Sequence, residues 1–327
     1  MIMKASYLTG LFGVLAIFLS ACSATIPSEN PDKSEGVVSL GDAEPAVVEA
    51  GASRFNEVPL IKGPVSADGL HLIFGTPDLG LGTQRVAVVA VSEKGLVRSP
   101  IATLSSFYYP TEDSEGELKQ TTLGIYRGFP LNTRGMYTAD LEFDRPGRWG
   151  LEISVLDENA RTLKASIKFD VAESTTAPSA GEPAIRSVNK TLGDGSVLAD
   201  LTTGSLQDPD LYRITIAEAV DSGLPTVVVM ASPAFCTNAV CGPQVDVLQE
   251  LKDKYSGQAN FIHVDLYDNP TGIQGDLSQA VISPTVIEWD LPSTEWSFVI
   301  DSQGIVSARF ESFATFEELE EALLALL

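Results

Sequence analysis

Two cysteines five positions apart, Cys236 and Cys241, are the residues of this chain best suited to chemistry. A thiolate is a nucleophile, a soft metal ligand and one half of a disulfide, and its surroundings decide which use is open to it. The surroundings here are ordered in an informative way. Val227-Val228-Val229-Met230 is an unbroken apolar run and reads as a buried strand. Ala231-Ser232-Pro233-Ala234-Phe235 leads to Cys236, and Thr237-Asn238-Ala239-Val240 separates it from Cys241-Gly242-Pro243. From Gln244 to Tyr255, Val247, Leu248, Leu251 and Tyr255 recur at helical spacing. Strand, cysteine loop and helix in that order put a thiol at a helix N-terminus, where the positive end of the helix dipole favours the thiolate.

Pairing of the two sulfurs constrains the loop. On one continuous helix, five residues amount to about 500° of rotation and about 7.5 Å of rise, which carries the side chains apart. A disulfide therefore requires 237–240 to be a loop or a broken turn. Proline is favoured at the first helical position, so the helix is expected to begin at about Pro243 with both sulfurs beside its N-terminus.

Stepping outward, the elements that hold this loop belong to a chain of 327 residues, long enough for about two domains. Its 44% apolar content supports real cores, and its 21 basic against 44 acidic residues give a net charge of −23. Such a surface repels phosphate backbones and anionic membrane surfaces, so nucleic acid is not an expected partner. Three cysteines and two histidines are too few for the usual zinc clusters, and no cofactor is expected.

The third cysteine, Cys22, belongs to the N-terminus. Lys4 is followed by an apolar stretch, Leu8 to Leu19, too short to span a bilayer comfortably and suited to a signal-peptide core. It ends in Leu19-Ser20-Ala21-Cys22, which resembles the lipobox of bacterial lipoproteins. That resemblance implies removal of 1–21, lipidation of Cys22 and a location on the extracytoplasmic face of the cell membrane. Residues 22–55, rich in Ser, Pro, Glu, Gly and Ala, read as a disordered tether.

Residues 56–173 carry strand-like runs at 71–74, 85–91, 122–126, 136–143, 149–155 and 166–171, separated by Gly, Pro, Asn and Asp. Several alternate apolar and polar residues, as half-buried strands do, and none is helical in period. The pattern predicts an all-β sandwich. Gly135, Tyr137, Ala139, Leu141, Phe143, Pro146-Gly147 and Trp149 together resemble the late strands of secreted immunoglobulin-like domains. His71 has no second ligand near it in sequence and reads as an edge or core histidine; Tyr108-Tyr109-Pro110 reads as a strand end. Residues 174–190, again Ser-, Thr-, Pro- and Gly-rich, read as a linker.

From residue 191 the pattern becomes a small α/β domain. Ile214, Ala217 and Val220 suggest a short helix, strands are expected at 227–230, 259–266, 296–301 and 305–310, and Thr315-Phe316-Glu317-Glu318 is a capping box opening a last helix. Residues 191–327 resemble a thioredoxin-like domain, on the strand and loop at 228–236, Phe235 before the first cysteine, the Val264-Asp265 to Asn269-Pro270 run and the hairpin around Ser302-Gln303-Gly304. The resemblance implies attack by Cys236 and resolution by Cys241. Two departures stand out. Thioredoxins use Cys-x-x-Cys, and the cis-proline that faces their redox pair is replaced at about Glu295, with Pro284 and Pro292 displaced.

Three uses of the pair remain open. The first is thiol–disulfide exchange with a protein partner outside the cytoplasm. The second is a structural disulfide in a binding or scaffolding lipoprotein, since an exported compartment oxidises close thiols. The third is copper handling of the Sco type, with Cys236, Cys241 and His263 as ligands. Asp265 and Glu295 are the acidic groups expected near the pair.

Overall fold

The computed structural model describes residues 60–130, 134–205, 207–235 and 241–327, all within one compact unit, Val47–Leu327. The expected signal peptide, Cys22, most of the tether and Cys236 lie outside the described residues. No helix among those described is long and apolar enough to cross a membrane.

Seven long or medium strands follow from the alternating runs: β1 (Leu70–Phe74), β2 (Gly82–Ser92), β4 (Ile101–Tyr109), β5 (Glu117–Gly128), β6 (Gly135–Phe143), β7 (Gly147–Leu156) and β8 (Thr162–Val171), with a two-residue β3 (Gly95–Leu96) paired to β2. β8 shows the cause most plainly. Leu163, Ala165, Ile167, Phe169 and Val171 are buried while every residue between them is exposed. The inward side chains pack as one core around Trp149, Phe143 and Phe169, with Phe143 set edge-on to both other rings.

The immunoglobulin-like sandwich expected from these runs is met only in part. The strands form one antiparallel sheet in the order β1-β2-β6-β5-β4-β7-β8 rather than two sheets face to face. That sheet curls until its edges nearly meet, so it needs no second sheet to cover its apolar face. The seam is filled by residues 61–63. Gly63 N–H donates to Leu72 O at 2.8 Å and Phe74 N–H to Ile61 O at 2.9 Å, which pairs the segment with β1. Its other side lies on β8, so close that a Cβ at Gly63 would stand 2.5 Å from Ser166 O. Only glycine fits there. β4 has no counterpart among the sequence-predicted strands, because its inward positions include the small Ala102 and the polar Ser106, which weaken the alternation. Tyr109 ends that strand, as expected.

The second sheet has the order β10-β9-β11-β12, from β9 (Thr226–Met230), β10 (Asn260–Val264), β11 (Trp296–Ile300) and β12 (Val306–Glu311). β9 and β10 are parallel; β11 runs antiparallel to β9 and to β12. β9 and β11 are buried at every position, because helices cover both faces. Of the helices, α1 (Leu198–Leu201), α2 (Ile216–Asp221), α4 (Pro270–Ile273) and α5 (Pro284–Glu288) are short; α3 (Cys241–Lys254) and α6 (Phe316–Leu324) are the long ones. α2 buries Ile216 and Ala219, not the Ile214/Ala217/Val220 stripe read from the sequence. The capping box on α6 is present: Thr315 Oγ1 accepts from Glu318 N–H while the Glu318 carboxylate accepts from Thr315 N–H.

The stretch 174–190 has no sequence pattern but is held along its length. Gly181 N–H donates to Val306 O and Val306 N–H to Glu182 O, extending the second sheet at its β12 edge, and Ala177, Ala184 and Ser187 are buried. The two sheets are joined directly as well. Arg85 on β2 forms a fork with Glu318 at 2.9 and 3.2 Å and donates to Glu311 O and Phe313 O. Arg309 on β12 donates to Asp78 Oδ2 at 2.7 Å, and Asp78 N–H donates to Glu311 Oε2 at 2.9 Å. Phe129 and Phe313 meet edge-on with centroids 4.8 Å apart.

Candidate functional site

The site lies where β9 and β10 end and β11 begins. β9 delivers Ala231, Ser232 and the start of the cysteine loop, and α3 carries the chain away from it. α3 begins at Cys241 rather than Pro243, so Gly242 and Pro243 occupy its first turn. Proline remains tolerable there because first-turn N–H groups have no partner within the helix. Cys241 is disulfide-bonded and fully buried, within the cluster formed by Val229, Ala231, Val245 and Leu248. It is the only cysteine among the described residues.

The near half of the loop is tied down by polar groups from three directions. Ala231 N–H donates to Val264 O at 3.2 Å, and Phe235 N–H closes a turn on Ser232 O at 3.3 Å. Ala234 N–H donates to Thr203 Oγ1 at 3.2 Å, and Ser232 Oγ lies 2.9 Å from the same hydroxyl. Thr203 in turn gives its N–H and its hydroxyl to Asp265 Oδ2, at 2.7 and 2.8 Å. Asp265 Oδ1 accepts from Tyr267 N–H at 3.1 Å. Burial pushes the Asp265 carboxyl up to about 6, against the pull of the Thr203, Tyr267 and Ser232 donors. Phe235, the aromatic before the first cysteine, sits edge-on to Tyr267 with centroids 6.2 Å apart.

His263 is a core residue whose ring is fully used. Nε2 lies 2.9 Å from Ala231 O and Nδ1 lies 2.7 Å from Tyr212 OH. A carbonyl can only accept, so Nε2 carries the proton, and Nδ1 of the neutral ring accepts from the tyrosine. Burial pushes the imidazole down to about 4 and raises the Tyr212 phenol. With both nitrogens occupied, His263 has none left for a metal beside the cysteines. Among the described residues no group of three or more His, Cys, Asp or Glu side chains is placed to hold a metal ion.

Glu295, one of the two acidic groups expected near the pair, lies immediately before β11. It is fully buried, and Trp296 after it pairs with Met230 at the end of β9. Its backbone is left-handed, φ 76°, a sparsely populated conformation for a residue with a Cβ. Its carbonyl accepts from Ser312 N–H, and Ser312 is itself at φ 65°. On the α3 side, Gln244 Oε1 accepts from Ala314 N–H at 2.8 Å and fixes the first turn of α3 to the loop before α6.

The structure thus brings Asp265 to the cysteine loop through an intermediary, and places His263 under that loop as a support. His71 lies on β1, remote in the fold from this site. Thr203, Ser232, Tyr212 and Gln244 had no signal in the sequence: the Thr203 to Asp265 contact joins residues 62 positions apart.

No protein-family model matches the chain, and no curated protein matches it. Two solved structures are similar in part. A thiol:disulfide interchange protein of the thioredoxin family from Chlorobium tepidum TLS aligns at 13% identity with a TM-score of 0.31, over 46% of this chain and 99% of that one. The PmoD soluble domain from Methylocystis sp. ATCC 49242 (Rockwell) aligns at 14% identity with a TM-score of 0.23, over 35% of this chain and 98% of that one.

Proposed function

We propose that this chain is a lipid-anchored, extracytoplasmic thioredoxin-like protein in which Cys236 and Cys241 form a redox pair that exchanges disulfides with a protein partner. The observation that carries the reading is the disulfide at Cys241, in the first turn of the helix that follows a central buried strand. Cys236 is the cysteine nearest to it in sequence, and lipidation of Cys22 consumes the remaining thiol. In the oxidising direction a partner thiolate attacks the Cys236 sulfur and Cys241 leaves as the thiolate. A second partner thiolate then attacks the mixed disulfide and Cys236 leaves. The partner loses two electrons and two protons, and the pair gains them. The strand order β10-β9-β11-β12, with one parallel pair and a closing hairpin, supports the thioredoxin-like assignment.

The test is the reduction potential of the pair in glutathione buffers. The expected value lies between about −230 and −120 mV, the range of exchange catalysts. A value below about −300 mV removes the exchange reading in favour of a structural staple. One observation favours that second reading: Cys241 is wholly buried, and a catalytic partner must reach at least one sulfur of the pair. The anchor has its own test. Partitioning into detergent should vanish in a Cys22→Ser variant, and unchanged partitioning removes the lipoprotein assignment.

A further inference from the structure

The cysteine loop is held by a strap from a distant part of the chain. Residues 202–204 cross it. Gly204 lies against Pro233, where an added Cβ would stand 3.3 Å from the proline ring, and its N–H donates to Thr202 Oγ1 at 3.0 Å. Thr203 is the working residue of the strap. Its hydroxyl can donate only one hydrogen, and Asp265, as a carboxylate, can only accept. The Thr203 hydrogen therefore points to Asp265 Oδ2, which leaves the hydroxyl oxygen to accept from Ala234 N–H, with Ser232 Oγ 2.9 Å away and its one hydrogen shared between Thr203 and Asp265. The carboxylate thereby sets the direction of the Asp265–Thr203–Ala234 relay that ends on the loop. Asp265 also lines a cavity of about 270 Å³ together with Asn189, Lys190, His263, Asp268 and Ser283.

We infer that Asp265 is a positioning residue for the cysteine loop: acting through Thr203, it fixes the backbone at Ser232 and Ala234 ahead of Cys236 and thereby biases the dithiol–disulfide equilibrium of the pair. The bias has a sign. A carboxylate held at the base of the loop through Thr203 disfavours a thiolate beside it, and so disfavours the reduced form. The redox half of this inference rests on the proposed function; the positional half does not.

Two measurements on the full-length protein separate them. Hydrogen exchange at the Ala234 amide in the oxidised protein reads the strap alone. It should be at least about tenfold faster in Asp265→Asn and in Thr203→Val, which keeps the volume and removes the hydroxyl. The potential reads the bias. Asp265→Asn should shift the equilibrium constant about tenfold toward the dithiol, about 30 mV less negative. Asp268→Asn, a change at the mouth of the same cavity, should move neither. Unchanged exchange at Ala234 in both folded variants overturns the inference. Faster exchange with an unchanged potential overturns its redox half. If Asp265→Asn does not fold, Thr203→Val decides the positional half alone. A wild-type potential below about −300 mV removes the proposed function and leaves the exchange measurement valid.

Discussion

Replacing Arg85 by alanine should lower the unfolding free energy by about 3–5 kcal/mol, read as a drop in the urea midpoint. The guanidinium and the Glu318 carboxylate are each less than a tenth exposed. Burial alone would push the Glu318 carboxyl up, but the Arg85 charge and hydrogen bonds outweigh it and hold the group below its ordinary range. Without Arg85 most of that compensation disappears, and only the Thr315 N–H and the more distant Arg127, at 3.9 Å, remain to offset it. Two backbone carbonyls, Glu311 O and Phe313 O, lose their donor at the same time. Arg85→Lys should recover only part of the loss, since an ammonium cannot form the fork and also reach both carbonyls. Lys94→Ala is the control. Its pair with Glu158 is about 70% exposed on both sides, and its removal should leave the midpoint essentially unchanged. Equal midpoints for Arg85→Ala and Lys94→Ala would show that the fork contributes nothing to the junction between the sheets.

Glu311 should make stability fall as pH rises from about 4.5 to about 7, an effect read as the difference from a Glu311→Gln variant, because His263, held down to about 4, contributes a slope of opposite sign between about 4 and 6.5. Burial pushes its carboxyl up to about 7, opposed by donors from Ser293 and Asp78 N–H and by Arg309, and reinforced by the Asp78 carboxylate. The unfolded chain releases this proton near the ordinary glutamate value while the folded chain keeps it, so the folded state binds more protons across the window and loses stability as pH climbs. Below the unfolded value both states are protonated and the group is neutral to stability. Above about 7 the folded protein carries a buried charge at a cost of about 3 kcal/mol. Glu311→Gln keeps the shape and an acceptor for Asp78 N–H. It should therefore match the wild type at pH 4 and exceed it by about 2–3 kcal/mol at pH 8. Asp265, raised to about 6, contributes a smaller slope of the same sign between about 4 and 6. Glu318, lowered, works oppositely: its stabilisation is present above the ordinary glutamate range and is lost as pH falls below it. A variant curve parallel to the wild type from pH 4 to pH 8 would remove Glu311 from this role.

Sequence periodicity found most of the strands because local alternation reports local burial. The 163–171 run is the clearest case, with five buried residues in strict alternation. It did not find β4, where Ala102 and Ser106 point inward, because a small or polar residue can be buried without looking so. Nor could it distinguish two sheets from one curled sheet, since that depends on which edges meet. The deciding contact, Gly63 on β8, joins residues about a hundred positions apart. At the site, the strand and the helix were legible, and the helix already includes Cys241 and Gly242, ahead of the expected start at Pro243. The strap was not legible: Thr203 is one threonine among many, and only the fold brings it between Asp265 and Ala234.

The filled seam of the first sheet has a mechanical consequence. Residues 61–63 are both the last stave of the curled sheet and the first paired residues of the described chain. Among the described residues, tension applied at Leu60 therefore reaches the seam first. The segment runs antiparallel to β1, along its length, so such a pull loads Gly63 N–H to Leu72 O and Phe74 N–H to Ile61 O together, in shear. For a body suspended from that side, the point of suspension and the closure of the first sheet are the same three residues.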